Sequence, residues 1–538
     1  VELLRKRLGA LPGTMTAAEA LRLAASNRYI DGFMDSPELE RAYDSLSRGI
    51  TRELIEKPSG MTACLRPYQS RGFSWLSFLS GLSLGACLAD DMGLGKTIQT
   101  LALIQHRYDM GERRPVLLIC PTSVLENWRM EISRFLPRMP IYIHHGRARA
   151  RGPEFAKAIR GVAMVLSSYA VLQRDAAICQ EIEWSGVVLD EAQNIKNPDT
   201  NQARAVRSIK SGWRVALTGT PVENHVGDLW SIMEFLMPGL LGGRRRFNEE
   251  YVKPIQESRD PALMDSLKRV VSPFIMRRMK TDRDIVPDLP RKIETKVFCG
   301  LKREQMQLYS DVTDSLSREI ACAAGIKRRG LVLAGLTRIK QICDHPSLAA
   351  KDGDPSAERS AKLERMLALA EEMFETGDRT LIFTQYVEMG NILKSQLQDR
   401  FGKEVMFLHG AVFKDVRDKM VKRFQDGSGP QFFVLSLKAG GVGLNLTGAN
   451  HVVMYDRWWN PAVEQQAIDR AYRIGQSRNV QVHIFCCRGT IEERIDELIL
   501  SKKEVANMII ESNDNWITEL SDRELQRLLS LSSNALEA

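Results

Sequence analysis

Between residues 62 and 235, short runs of consecutive apolar residues alternate with stretches of helical period; residues 116–120, 162–167, 187–189 and 215–217 are the clearest runs. A run that is apolar at odd and even positions alike has no solvent face. Such runs, separated by helices, predict a parallel sheet covered on both sides. Ser123 followed by Glu126 has the spacing of a capping box and predicts a helix start just after the 116–120 run. A second series extends from about 360 to 500, with runs at 380–383, 432–435, 451–455 and 480–485. Residues 236–359 between them follow a mostly helical pattern, broken at Pro238-Gly239, Gly242-Gly243, Pro254 and from Pro287 to Pro290. The pattern therefore predicts an α/β fold with two parallel-sheet lobes, 61–235 and 360–500, joined by helical protrusions at 236–359. Short helical segments are predicted at 1–60 and 501–538, the latter holding Trp516 and a helix opened by Ser521 with Glu524 three residues on.

Length agrees, since 538 residues make about three or four domains of ordinary size. A composition of 44% apolar, 26% charged and 7% aromatic residues is that of a globular chain, not a disordered or fibrous one. No apolar run is long enough to span a membrane as a helix. The net charge of +8 is uninformative until it is located: residues 241–350 hold 22 basic and 14 acidic side chains, so the other 428 balance at 53 against 53. A polyanion-facing segment between the lobes is expected. The nine cysteines show no CxxC spacing, which argues against zinc and fits free thiols in a reducing cytoplasm. The chain opens on Val1 rather than methionine, so a longer parent is expected.

Chemistry enters at Ala89-Asp90-Asp91-Met92-Gly93-Leu94-Gly95-Lys96-Thr97, after an apolar run and before a helical pattern. Glycines let backbone N–H groups curl around phosphate oxygens, and the helix N-terminus adds positive potential. Lys96 is placed to reach the β- and γ-phosphates, and Thr97 to ligate magnesium. Asp90 stands where the general pattern has its first glycine. The 187–189 run leads into Asp190 and Glu191, two carboxylates at a strand end, where α/β proteins hold ligands. Asp190 suits a magnesium ion and Glu191 suits the orientation of an attacking water. Leu217-Thr218-Gly219-Thr220-Pro221 closes another strand.

These motifs, in this order, resemble a superfamily-two helicase, and the second half of the chain narrows the resemblance to the SWI/SNF-like ATPase family. Leu65-Arg66-Pro67-Tyr68-Gln69 resembles its adenine-reading Q motif, 119–123 with Asn127-Trp128 its motif Ia, and Ser168-Tyr169 its motif Ib. Residues 383–386 and 408–410 fall where motif IV and its neighbour are expected, 435–447 is similar to motif V, and 466–476 to motif VI. Phe274 to Lys280, followed by Asp288-Leu289-Pro290, resembles the inter-lobe linker. The likeness spans about 62 to 535 and is closest to archaeal and bacterial members and the recombination-repair branch. Asp91 replaces a common glutamate, and Gln193 and Tyr472 stand where many members carry histidine. The absence of a bromodomain, chromodomain or zinc module from these residues points away from a eukaryotic chromatin remodeller.

The resemblance implies two RecA-like lobes, a single-chain motor using ATP and magnesium, and double-stranded DNA as the track, in a prokaryotic, nucleoid-associated cytoplasmic setting. It implies that Gln69, Gly93, Gly95, Lys96, Thr97, Asp190 and Gln466 bind nucleotide, with Thr97 and Asp190 on magnesium. Lys96, Asp190, Glu191, Arg470 and Arg473 are expected to carry hydrolysis, the two arginines completing the site from the second lobe. Thr122, Asn127, Ser168, Thr384, His409, Ser436, Lys438, Arg277 and Arg278 are expected on DNA. Two other outcomes remain open: a duplex-unwinding helicase, and a motor whose main target is a DNA-bound protein such as RNA polymerase.

Overall fold

The computed structural model describes residues 54–497 apart from 147, 220–225, 259–260, 281, 283–288, 324, 438–443 and 459–460, together with 525, 528–532 and 535–536. Most of the segments predicted at 1–60 and 501–538, Trp516 among them, and the motif V residue Lys438 lie outside the described residues. Residues up to 287 and residues from 288 form two compact units. No described helix is long and apolar enough to cross a membrane.

The first unit is built on seven parallel strands: β1 (Ala86–Leu88), β2 (Val116–Cys120), β3 (Ile141–His144), β4 (Met164–Ser168), β5 (Trp184–Asp190), β6 (Ser211–Leu217) and β7 (Ile275–Met276). Their spatial order is β3-β4-β2-β5-β6-β1-β7. Strands β2 and β4 are buried at every residue, and β5 at all but its last, which explains their unbroken apolar runs. The loops that follow β1, β2, β4, β5 and β6 leave from the carboxyl ends of the strands and carry 89–95, 121–122, 168–169, 190–191 and 218–219. Helices α1 (Pro67–Gly81), α2 (Lys96–Asp109) and α3 (Leu125–Phe135) support these loops. The start of α3 corrects the capping-box expectation. Its N-cap is Val124 with no side-chain cap, because Pro121 leads into a 3-10 turn at Thr122–Val124 and the helix begins one residue later; Glu126 instead accepts from Arg129 Nε at 2.6 Å.

The second unit has six parallel strands: β8 (Lys292–Cys299), β9 (Thr380–Thr384), β10 (Met406–Leu408), β11 (Phe432–Ser436), β12 (His451–Met454) and β13 (Val480–Cys487). They lie in the order β10-β11-β9-β12-β13-β8. Edge strand β8 pairs with β13 along eight residues, from Lys292↔Val480 to Cys299↔Cys487. Each sheet thus takes an edge strand from the expected helical stretch, β7 for the first and β8 for the second. Both α/β lobes have the predicted class.

Under the second sheet lies a buried polar cluster that no motif marks. It joins α4 (Gly325–Asp344) and α5 (Ala361–Glu375) to the strand ends. Lys362, with no exposure, donates to Asp344 at 2.8 Å and to Glu492 at 2.7 Å. Lys340 donates to the Arg457 carbonyl. Arg457 pairs with Asp496 at 2.9 Å and Glu464 at 3.2 Å.

Candidate nucleotide site

The loop after β1 turns at two left-handed residues, Gly93 (φ 84°) and Gly95 (φ 80°), where a side chain is strained. At Gly95 there is also no room, because a Cβ would stand 2.5 Å from Gln69 Nε2. Gln69 is buried and donates to the Leu94 carbonyl at 3.2 Å, while Tyr68 Oη donates to the same carbonyl at 2.8 Å. The Q motif glutamine is thereby brought onto the phosphate loop. Lys96, the first residue of α2, donates back to the carbonyls of Asp90 at 2.5 Å and Asp91 at 3.4 Å. Thr97 is half-buried in the first helical turn.

The acid pair ends β5. Asp190 Oδ2 accepts from the Trp128 indole at 2.7 Å and Oδ1 from the Glu191 N–H at 2.9 Å. Burial, and then the Glu191 carboxylate, push Asp190 up to about 7, while the Trp128 bond and the Lys96 charge oppose the shift. The influence of Lys96 on Asp190 links the phosphate loop with the acids. Glu191 is held in a left-handed conformation (φ 50°), unusual for a residue with a side chain. Gln193 Nε2 donates to Glu191 Oε2 at 2.8 Å, and its oxygen accepts from Thr218 Oγ1 at 3.0 Å, so the ends of β5 and β6 share one chain of bonds. Two crowded carboxylates, the raised one beside a buried strand end, with the Thr97 hydroxyl, are hard oxygen donors of the kind that would fit a magnesium ion held by Asp190 and Thr97.

The linker provides the main correction. Arg278 was expected on DNA, but its guanidinium is nearly buried in the first unit. Nε donates to Asp90 Oδ1 at 2.8 Å and Nη2 to Gln99 Oε1 at 2.6 Å; further bonds go to Asp90 Oδ2 and the Tyr68 carbonyl. The physical reason is Asp90, which has no exposure and needs a counter-charge. Arg277 beside it is exposed.

In the second unit, α6 (Pro461–Ile468) carries half-buried Gln466, and the turns after it carry buried Arg470 and half-buried Arg473. Gln476 Nε2 fastens these turns by donating to the carbonyls of Ala449 at 2.7 Å and of Thr447 and Ala471 at 3.1 Å.

Residues 68–348 match the pattern of the SNF2-related domain, and residues 360–475 that of the helicase conserved C-terminal domain. This chain belongs to the SNF2-related family. It is 46% identical over 474 residues to the putative ATP-dependent helicase/translocase YwqA of Bacillus subtilis, covering 88% of this chain and 51% of that protein. It is 30% identical to the TATA-binding protein-associated factor MOT1 of Saccharomyces cerevisiae, covering 87% of this chain and 28% of that one. Among solved structures it is similar to the Sulfolobus solfataricus SWI2/SNF2 ATPase core in complex with dsDNA. There the identity is 46%, the coverage 89% of this chain and 100% of that one, and the TM-score 0.45. The chain spans about half the length of the YwqA relative.

On this SNF2-related core the other residues expected on DNA divide sharply. Thr122 is exposed, and Asn127 and His409 are half-buried, the last against Phe407 with ring centroids 4.9 Å apart. Ser168 is instead buried and caps the short helix Tyr169–Arg174, accepting from the Val171 N–H at 3.4 Å. Thr384 is buried and donates to Asp456 at 2.6 Å, and Ser436 is buried at the end of β11. Hydroxyls at the ends of buried strands are taken by the protein's own unsatisfied groups before a ligand can use them. Trp458 packs against the core of the second unit. Sequence reasoning missed Trp128 as a partner of Asp190, Thr218 as a partner of Gln193 and Tyr169, whose hydroxyl donates to the Asp190 carbonyl at 2.8 Å. Tyr169 and Trp128 stood inside named motifs, but only their bonds identify them.

Proposed function

We propose that this SNF2-related core hydrolyses ATP to move along duplex DNA and remodel protein–DNA complexes without processive strand separation. The observation that carries the ATPase half is the convergence of Lys96 and Gln69 on one loop at the carboxyl edge of the first sheet, the edge at which Asp190 ends β5. Lys96 exchanges its carbonyl partners for phosphate oxygens, and Glu191, steadied by Gln193, orients the attacking water. Asp190 and Thr97 would hold a magnesium ion, which would supply charge neutralisation at the phosphates. Arg470 and Arg473 supply guanidinium donors to the transferring phosphoryl group. Arg473→Ala is expected to reduce turnover while leaving ATP binding comparatively intact; an unchanged ATPase rate removes it from that role.

Translocation is supported by the likeness to a putative helicase/translocase and by the exposed basic side chains Lys327, Arg329 and Arg338 on α4. The basic surplus is not all available: Arg244 pairs with Asp199 at 2.6 Å and Arg246 with Glu250 at 2.6 Å. The deciding experiment is the ATPase rate with no nucleic acid, single-stranded DNA, duplex DNA and RNA across a salt series. Preference for duplex DNA with steep salt dependence is expected, and equal stimulation by RNA overturns the reading. The likeness to a TATA-binding protein-associated factor favours a second reading, in which the main target is a DNA-bound protein. ATP-driven displacement of a protein block from duplex DNA tests it, and strand release from a tailed duplex tests unwinding.

A further inference from the structure

We propose that Arg278 is a positioning residue for the nucleotide site, and that residues 275–280 form a strap that holds the geometry of the phosphate loop. The proposal rests on the ATP-binding reading above. The strap is bonded to the loop along its length. Strand β7 pairs with β1 at Cys87↔Ile275 and Leu88↔Met276. Beyond the strands the ladder continues: the Ala89 N–H donates to the Met276 carbonyl at 2.7 Å and the Asp91 N–H to the Arg278 carbonyl at 3.0 Å. The Lys280 N–H then donates to Asp91 Oδ2 at 2.9 Å.

Within this ladder Arg278 joins three elements around the phosphate loop. One guanidinium reaches Asp90 in the loop, Gln99 in α2 and the Tyr68 carbonyl in α1, next to Gln69. It also lies over the Tyr68 ring, 5.0 Å from the centroid. Asp90 is fully buried, and its own carbonyl is the one on which Lys96 rests. Holding the Asp90 side chain therefore fixes the carbonyl that orients the phosphate-binding lysine.

The test titrates a fluorescent ATP analogue into the wild-type chain, Arg278→Gln, Arg278→Lys, Asp90→Asn/Arg278→Gln and Met279→Ser, with duplex-DNA affinity and thermal unfolding measured on each. Arg278→Gln leaves Asp90 buried without its counter-charge and is expected to weaken analogue binding about tenfold or more with duplex affinity little changed. Arg278→Lys keeps the charge without the fork and is expected to stay folded with a several-fold loss. The double variant, which removes the stranded carboxylate, is expected to recover part of the affinity, and Met279→Ser, on the exposed side of the strap, to match wild type. Wild-type binding retained by both Arg278 variants overturns the strap alone. An Arg278→Gln loss matched by an equal loss of duplex affinity, with no recovery in the double variant, also overturns it. A wild-type chain that does not bind the analogue overturns the ATP reading and the strap with it.

Discussion

Lys96→Ala is expected to lower ATP turnover by about a thousandfold or more, about 4 kcal/mol of transition-state stabilisation, while duplex-DNA binding stays largely intact. The side chain is already at the loop, with its ammonium on the carbonyls of Asp90 and Asp91, and nothing described takes its place if it is shortened to a methyl group. A second consequence follows from electrostatics. Lys96 is one of the groups that favour the charged form of Asp190, so its loss also weakens the carboxylate assigned to magnesium. A steady-state ATPase assay with saturating duplex DNA checks the first effect. Near-normal turnover would sink the phosphate-site assignment. The packing of the second unit does not depend on Lys96, so thermal unfolding of that unit is expected to be unchanged.

Lys362→Met is expected to cost the second unit about 3–5 kcal/mol, because it strands Asp344 and Glu492 in the interior. Against a typical domain stability of about 5–15 kcal/mol this is a large share. Burial opposes the charge on Lys362, and Asp344 and Glu492 more than offset that cost, so the ammonium is kept. Burial raises Asp344 well above the usual carboxylate range, and Lys362 is the group pulling it back. The sign of the pH dependence follows. Without the ammonium the charged forms of Asp344 and Glu492 lose their counter-charge while the protonated forms do not, so the variant loses stability relative to the wild type as pH climbs above about 4. The Lys362→Met deficit is therefore expected to widen from acidic to neutral pH. Denaturant unfolding of both proteins across that range measures it, and a deficit that narrows with rising pH, or is below about 1 kcal/mol, contradicts the role assigned to the cluster.

The legibility of the fold varied with burial. Strands buried on both faces, such as β2 and β9, appear in the sequence as continuous apolar runs and fall where the pattern puts them. Strand β8 does not, because its partly exposed sequence KIETKVFC mixes charges into an edge that only pairing with β13 reveals. Strands β1 and β7, with three and two residues, carry too little pattern to be read as strands alone. Within the site, Lys96, Asp190 and Glu191 drew notice in the sequence because phosphate and metal chemistry call for a lysine at a helix start and carboxylates at a strand end, and those are the positions they take in the first unit. Ser168, Thr384 and Arg278 were misread for a common reason. A hydroxyl or guanidinium in a motif looks available for a ligand, and whether an interior acceptor has already claimed it depends on residues far along the chain.

By itself, then, the sequence determined the two parallel-sheet units and the family, and marked the glycine-rich loop and the acid pair as candidates, since each is written in local periodicity or in a few neighbouring residues whose chemistry admits little substitution. Only the tertiary structure decided which polar groups face inward. Asp90 and Arg278 are 188 positions apart, and Lys362 and Glu492 are 130 apart. A buried charge must find its partner wherever the fold places one, so the pairings that bind the linker to the phosphate loop and hold the second unit together leave no local signature.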